Sequence, residues 1–518
     1  MKAVINKAFV VLALLAYSVT TVASLLSEER IRQLEQITQQ STIPELQMLM
    51  ASGKLSAKQL TAFYLHQISI KDKEYNSIIL VNNRALKIAE ELDAERANGK
   101  VRSLMHGIPI VLKDNIETKT MPTTAGSLAL KDNHTFRDAT LVANLKKAGA
   151  IILAKANLSE WANFRSERSS SGWSGVGGQT RNPIDTSRSP CGSSAGSAAA
   201  VAGNLAVAAV GTETDGSITC PSSATGIVGI KPTLGLVSRY GVIPLAHSQD
   251  TAGPMTKSVI DASIMLAAMQ GKDTNDSATL NSTLAHQAEY SKSGLSLKGL
   301  RIGVLKSRVK PHEGVDKVYQ NLLERLKQAG AVLIPELKLQ RYDGFGSDSY
   351  SVLLYEFKHD LNLYLSTLPN ELNKLTLEKL IQFNLDHEDK EMPYFKQEIF
   401  VKSQAKGSLE EQEYIDALAR IKSATRENGL DKMVQDNQLD IMITPTLGTA
   451  WSIDLINGGA YTGGYSSFSA ISGYPYITLP MGKVHHLPVG ISVVGLENED
   501  AKVIEVAQLL ESLLAGDL

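Results

Sequence analysis

Short apolar runs separated by amphipathic stretches set the rhythm of this chain. Ile108-Pro-Ile-Val-Leu112 and Ala150-Ile-Ile-Leu-Ala154 are too short and too uniformly apolar for surface helices, and both read as buried strands. The same signal returns at residues 205 to 210, 226 to 230, 300 to 305, 440 to 444 and 490 to 494. Helical patterns lie between them. One spans 139 to 148, and another, from 84 to 98, reads as exposed and stops at Gly99. Thr42-Ile-Pro-Glu45 and Ser56-Ala-Lys-Gln59 both fit the capping box that opens a helix, the second leading into an apolar-periodic run through Leu65. Strands apolar on both faces, alternating with helices, predict a sheet covered on both sides.

Residues 335 to 435 break the rhythm. They are rich in charge and tyrosine, poor in glycine, and read as mostly helical. Strand signals resume after Asp440, so the segment is an elaboration packed over the sheet beside the pocket rather than a separate domain. Tyr342, Phe345, Tyr350 and Tyr355 are its candidate pocket walls. No solenoid repeat and no low-complexity stretch interrupts the chain.

The first residues follow another logic. Lys2 and Lys7 supply positive charge, an apolar run extends from Phe9 to Ala23, and Thr21-Val-Ala23 offers a small-residue exit. That pattern predicts a secretory signal peptide over 1–23, cleaved after Ala23, and a periplasmic or secreted domain over 24–518. The run falls short of the ~20 residues a spanning helix needs, so no stable membrane association is expected. No cysteine near the exit supports lipid attachment.

Composition narrows the class further. Hydrophobic residues at 43% and charged residues at 20% place the chain among folded globules, and a net charge of −2 without a basic run argues against a nucleic-acid partner. No G-x-G-x-x-G opens a helix after a strand and no P-loop is present, so no cofactor is expected. Cys191 and Cys220 have no further Cys or His at ligand spacing, which predicts no metal site. An oxidising compartment permits a bridge between them. Their small-residue, core-like surroundings favour two buried thiols instead.

Three patterns compete for the chemistry. Gly192-Ser-Ser194-Ala-Gly196 matches the nucleophile elbow, but that motif must follow a hydrophobic strand, and TRNPIDTSRSPC precedes it here. S-x-x-K occurs at Ser307–Lys310 and Ser403–Lys406, both in charged, surface-like sequence, and neither is credible. His485-His486 reads as part of a loop. The third pattern is longer: Lys113 ends the apolar strand begun at Ile108, GSSAGS occupies 192–197 and GTETDGSITCP occupies 211–221. With Gly229-Ile-Lys-Pro-Thr233 and Gln249-Asp-Thr-Ala-Gly-Pro254 in the same order, these blocks resemble the amidase signature family of serine hydrolases. The likeness is strong over about 45–275, with a weaker echo at Thr444-Pro-Thr446 and Gly473-Tyr-Pro475.

The resemblance implies an α/β fold, a single large domain whose central mixed sheet carries helices on both faces. It also implies an amidase in which Ser217 is the nucleophile, Ser193 a bridging serine on a cis peptide bond, and Lys113 the base. Backbone amides of Thr214, Asp215, Gly216 and Ser217 would hold the oxyanion. Many family members have glycine at the position of Asp215, and the departure resembles the branch that acts on peptide amides. The chemistry is coherent in its own right. A serine hydroxyl needs a base. A lysine, ordinarily protonated up to pH ~10.4, becomes one when burial disfavours its charge. The expected reaction is hydrolysis of a carboxamide, on the C-terminal amide of a short peptide with release of ammonia. The alternatives are a hydrolase of aryl-acylamides or other small amides, a tRNA-dependent amidotransferase subunit, and a secreted binding protein on a retired hydrolase fold. A signal peptide weighs against the amidotransferase, and three retained catalytic side chains weigh against the retired fold.

Overall fold

The computed structural model describes residues 26–280 and 294–515, so the signal peptide expected over 1–23 lies outside the described residues. Thirteen strands occur among the described residues: β1 (Ile78–Val81), β2 (Pro109–Lys113), β3 (Ile151–Ala156), β4 (Trp173–Ser174), β5 (Gly178–Gln179), β6 (Ala208–Glu213), β7 (Val228–Lys231), β8 (Thr251–Thr256), β9 (Arg301–Leu305), β10 (Val332–Leu337), β11 (Ile441–Pro445), β12 (Tyr476–Val484) and β13 (Leu487–Val494). β4 and β5 pair as a small ribbon. The other eleven form one sheet in the order β1-β3-β2-β6-β8-β7-β12-β13-β11-β9-β10. β2 runs parallel to β3 and β6, β6 through β11 pair antiparallel along the middle, and β9 and β10 close the far edge in parallel. The sheet is therefore mixed.

All seven apolar runs read from the sequence are strands of this sheet, with edges moved by up to three residues; 205–210, for example, begins at Ala208. Every residue of β2, β3, β6, β7, β8, β11 and β13 is buried, so both faces are covered. Helices Ala195–Ala202, Val259–Met269 and Asp500–Leu514 supply part of that cover. Both capping boxes form, at Thr42 with Glu45 and at Ser56 with Gln59. The helix read as exposed, Ala85–Ala97, keeps a buried inner face of Ala85, Ala89 and Leu92.

Four strands of the sheet escaped the pattern. β8 contains Gly253-Pro254, which mimics a turn; here a Cβ on residue 253 would meet the Ile230 carbonyl oxygen at 1.9 Å. β12 carries Pro480 and Gly482 at a register shift against β13, where the ladder tolerates a missing donor. β1 and β10 are edge strands without a continuous buried run.

The 335–435 segment is mostly helical, as expected, although its first residues finish β10. Helices Phe345–Ser366, Leu377–Asp386, Glu398–Gln404 and Gln412–Thr425 dominate it. Leu354, Phe357 and Leu361 pack with Trp161, Phe164 and Leu245 of the sheet side. Truncating a buried Phe of this kind typically costs about 3–5 kcal/mol, so the layer is firmly attached. Arg165 pins it further: its Nε donates to Glu160 at 2.9 Å and its Nη1 to the carbonyls of Phe395 and Lys396.

The two cysteines are not thiols. Cys191 and Cys220 form a disulfide with their Cα atoms 6.0 Å apart. The expectation of buried thiols fails because the fold lays the two small-residue segments side by side, under Leu447, Ala450 and Trp451. Spacing along the chain carries no trace of that approach. Among the described residues no helix is long and apolar enough to cross a membrane.

Candidate active site

β2 delivers Lys113 from its last position into a fully buried site. The ammonium nitrogen lies 2.7 Å from Ser193 Oγ and donates to Thr212 Oγ1 at 2.8 Å and to the Thr212 carbonyl at 3.1 Å. Asn115 Nδ2 holds the same Thr212 hydroxyl at 2.9 Å. Ser193 follows Gly192 through a cis peptide bond. Its carbonyl accepts the Ser159 amide at 3.0 Å. A Cβ on residue 192 would lie 2.2 Å from Ser159 Oγ, and one on residue 196 only 2.4 Å from the Ser77 carbonyl. The small residues of 191–202 thus let this loop and helix sit directly on their neighbours.

The second half of the site hangs from β6. Glu213, the last residue of that strand, turns its carboxylate onto the amides of Ile218 at 2.8 Å and Thr219 at 3.0 Å, fixing the start of helix Thr219–Thr225. The chain between them turns through Gly216, whose φ of +81° lies in the region that disfavours side chains. Ser217 follows, 8% exposed, with its hydroxyl free of hydrogen-bond partners among the described residues. The amides of Asp215, Gly216 and Ser217 are likewise unpartnered among the described residues. The two halves are tied by the Ser194 amide, which donates to the Ser217 carbonyl at 3.1 Å. Ser194 itself is buried structure: its hydroxyl bonds both the carbonyl and the amide of Thr212.

Burial shapes the electrostatics. It pulls the Lys113 ammonium from its ordinary value down to about 7, against the opposing charges of Asp250 and Glu213. Burial pushes the Asp250 carboxyl up to about 6, partly offset by bonds from Thr214 Oγ1 at 2.5 Å and from the amides of Leu245 and Ala246. A lysine in this state holds a substantial neutral fraction near neutral pH, which an ordinary lysine does not.

Ser217 opens on a cleft of about 390 Å³ with Asp215 and Gly216 at its base and Phe164, Trp451 and Tyr461 among its walls. The pocket walls expected from 335–435 are not where the sequence suggested. Phe345 and Tyr355 are buried in a core of their own, Tyr342 donates to Asp348, and Tyr350 donates to Glu167. The segment lends the cleft Leu353 instead. A second cavity of about 440 Å³ adjoins it across Ala162, Thr214 and Leu245 but contains none of Lys113, Ser193 and Ser217. On its wall His247 Nδ1 lies 2.9 Å from Asp360 Oδ2, while Glu356 accepts from Tyr414 and Ser248. That trio clusters near enough to hold an ion, yet its carboxylates are committed to protein donors. The S-x-x-K pairs line neither cavity, and His485-His486 sits in the turn between β12 and β13.

The amidase family model matches residues 59–504. The chain belongs to the amidase family. Among solved amidases, the native peptide amidase of Stenotrophomonas maltophilia is 42% identical, with a TM-score of 0.88 over 92% of this chain and 98% of that one. A probable amidase of Arabidopsis thaliana is 37% identical, covering 91% of this chain and 90% of its own length. The chain is also 32% identical to a glutamyl-tRNA(Gln) amidotransferase component of Thermoanaerobacter pseudethanolicus, over 91% of this chain and 96% of that one. The amidase fold here brings together Lys113, Ser193, Thr214, Asp215, Gly216 and Ser217, all legible in the motifs. Thr212 and Asp250 escaped notice. Both stood inside quoted blocks, GTETDGSITCP and Gln249-Asp-Thr-Ala-Gly-Pro254, but only the fold shows that one holds the lysine nitrogen and the other faces its charge.

Proposed function

We propose that this amidase is exported and hydrolyses the C-terminal carboxamide of short peptides, releasing ammonia, with Ser217, Ser193 and Lys113 as its catalytic trio. The observation that carries the mechanism is the buried Lys113 nitrogen, 2.7 Å from Ser193 Oγ and with its pKa drawn down to about 7. Neutral Lys113 accepts the proton of Ser193, which accepts that of Ser217 as Oγ attacks the amide carbon. The amides of the 215–217 turn receive the developing oxyanion, and losing one such donor typically costs ~10²–10³ in rate. Ser193 then returns a proton to the leaving nitrogen, ammonia departs, and water releases the acid from the acyl-Ser217 ester by the same route.

Three features support the substrate and the location. The cleft is of a size that takes a short peptide, since ligand pockets usually run ~300–1,000 Å³. The solved amidase with 42% identity over nearly the whole chain is a peptide amidase. The Cys191–Cys220 disulfide belongs to oxidising compartments, in keeping with the signal-peptide pattern of residues 1–23. Ammonia release from an amidated dipeptide, compared with a simple aromatic amide and an anilide, tests the assignment. Turnover of the dipeptide amide is expected; rapid turnover of the anilide with none of the peptide amide contradicts it. Intact mass of protein recovered from cells is expected to start near Ser24, and an intact Met1 in a cytosolic fraction contradicts export.

A further inference from the structure

Asp215 sits oddly for a turn residue. It is exposed to the cleft although Thr214, Gly216 and Ser217 around it are buried. An aspartate that merely stabilises a turn spends its oxygens on backbone amides a residue or two away. Asp215 does not. Its Oδ1 accepts from Ser466 Oγ at 2.5 Å and its Oδ2 from Ser467 Oγ at 2.7 Å, both across the cleft at the start of helix Ser466–Ser472. Each oxygen has one protein donor, and a carboxylate offers about four acceptor positions. Burial pushes the Asp215 carboxyl above its ordinary value, against the opposing bonds from Ser466 and Ser467 and the charge of Arg341 on a third segment. The result is a carboxyl held in place by two hydroxyls, with acceptor capacity to spare, two residues from the nucleophile.

Reach decides what it can touch. In an acylated Ser217 the carbonyl carbon is bonded to Oγ, and in a peptide amide the N–H of the amidated residue lies two bonds further, about 2.5 Å away. A side chain rooted two residues back, about 5–7 Å between Cα atoms, spans that distance. A plain carboxamide puts a methylene at the same place, which leaves the acceptor unanswered and partly desolvated. Sites built to bond a donor discriminate strongly against analogues that lack it.

Resting on the peptide-amide reading, we propose that Asp215 accepts the backbone N–H of the amidated residue and so separates peptide and N-acylamino-acid amides from plain carboxamides. Ser466 and Ser467 position it. The test compares N-acetylphenylalaninamide with its isostere 2-acetoxy-3-phenylpropanamide, in which oxygen replaces the N–H, by ammonia release. The unmodified enzyme is expected to favour the N–H compound roughly 10- to 100-fold in kcat/KM, the range for a hydrogen bond to a charged group. Asp215→Ala should bring that ratio to within about threefold of unity, whatever it does to both rates, and Asp215→Asn should fall between. Ser467→Ala, which leaves the turn untouched, should lower the ratio part-way and stands in if Asp215→Ala does not fold. An unchanged ratio in these variants, with Ser217 still labelled by a fluorophosphonate, overturns the proposal and leaves Asp215 as a turn residue. An unmodified-enzyme ratio near one overturns the proposal alone. Inertness toward both compounds with activity on an anilide overturns the peptide-amide reading, and this proposal with it.

Discussion

If Lys113 works as a neutral base, the acid side of the pH profile belongs to it. With its pKa near 7 in the folded protein, a lone lysine would be about 90% neutral at pH 8 and about 1% neutral at pH 5, so kcat/KM for an amide should fall by at most roughly 90-fold across that span. The limb should not be perfectly steep. Asp250, which faces the lysine, titrates at about 6. Once protonated it no longer favours the ammonium, the lysine pKa drops further, and the curve flattens below pH 6. Glu213 is the other carboxylate acting on the lysine, and it is committed to the amides of Ile218 and Thr219. The assay is ammonia release at constant ionic strength from pH 5 to 9, repeated on Lys113→Met. The variant should lose about 10²–10⁴ in rate, and its residual activity should lack the limb. A profile flat across pH 7, or a limb centred above pH 9 as for an ordinary lysine, would refute the neutral-base reasoning. So would a limb that survives in Lys113→Met.

Loss of Ser193 should separate leaving groups. Ser193→Ala is expected to cost amide hydrolysis ~10²–10⁴-fold and hydrolysis of an ester of the same acyl group much less, because an alkoxide leaves with less protonation than an amine; equal losses count against the relay. Ser194→Ala should keep substantial amidase activity while melting earlier, since it takes the Ser194 hydroxyl from the Thr212 amide and leaves the Thr212 carbonyl with the Lys113 nitrogen alone, at a cost of about 1–3 kcal/mol, read by thermal denaturation. Reducing the disulfide, which spans 29 residues of chain, should remove about 3–4 kcal/mol of stability and loosen the Ser193 loop from the Ser217 turn. Both the melting temperature and kcat should fall with the number of thiols titrated, and full activity at complete reduction would show the bridge to be irrelevant to catalysis.

The contrast between what the chain announced and what only the fold discloses follows the range of each signal. Strands β2 and β3 were visible because a strand covered on both faces must be apolar at every position. β8 was not, because Gly253 and Pro254 spell a turn unless one knows that β6 and β7 flank them. Lys113, Ser193 and Ser217 sit in blocks whose residue types are constrained locally by tight backbone approach, as at Gly192 and Gly216. The disulfide, the Thr212 bond to the lysine and the identity of the cleft walls depend on segments far apart in sequence. Trp451 and Tyr461 lie more than two hundred residues from Ser217, and no periodicity marks them.

The most direct measurement of the central claim is to trap the acyl-enzyme. A mechanism-based phosphonate, or a slow amide quenched with acid, followed by peptide mapping, should place the adduct on Ser217 and nowhere else. Ser217→Ala should carry no adduct and show no turnover, while Ser194→Ala should still label on Ser217. An adduct on Ser194, or turnover persisting in Ser217→Ala, would contradict the assignment of the nucleophile and of the trio built around it.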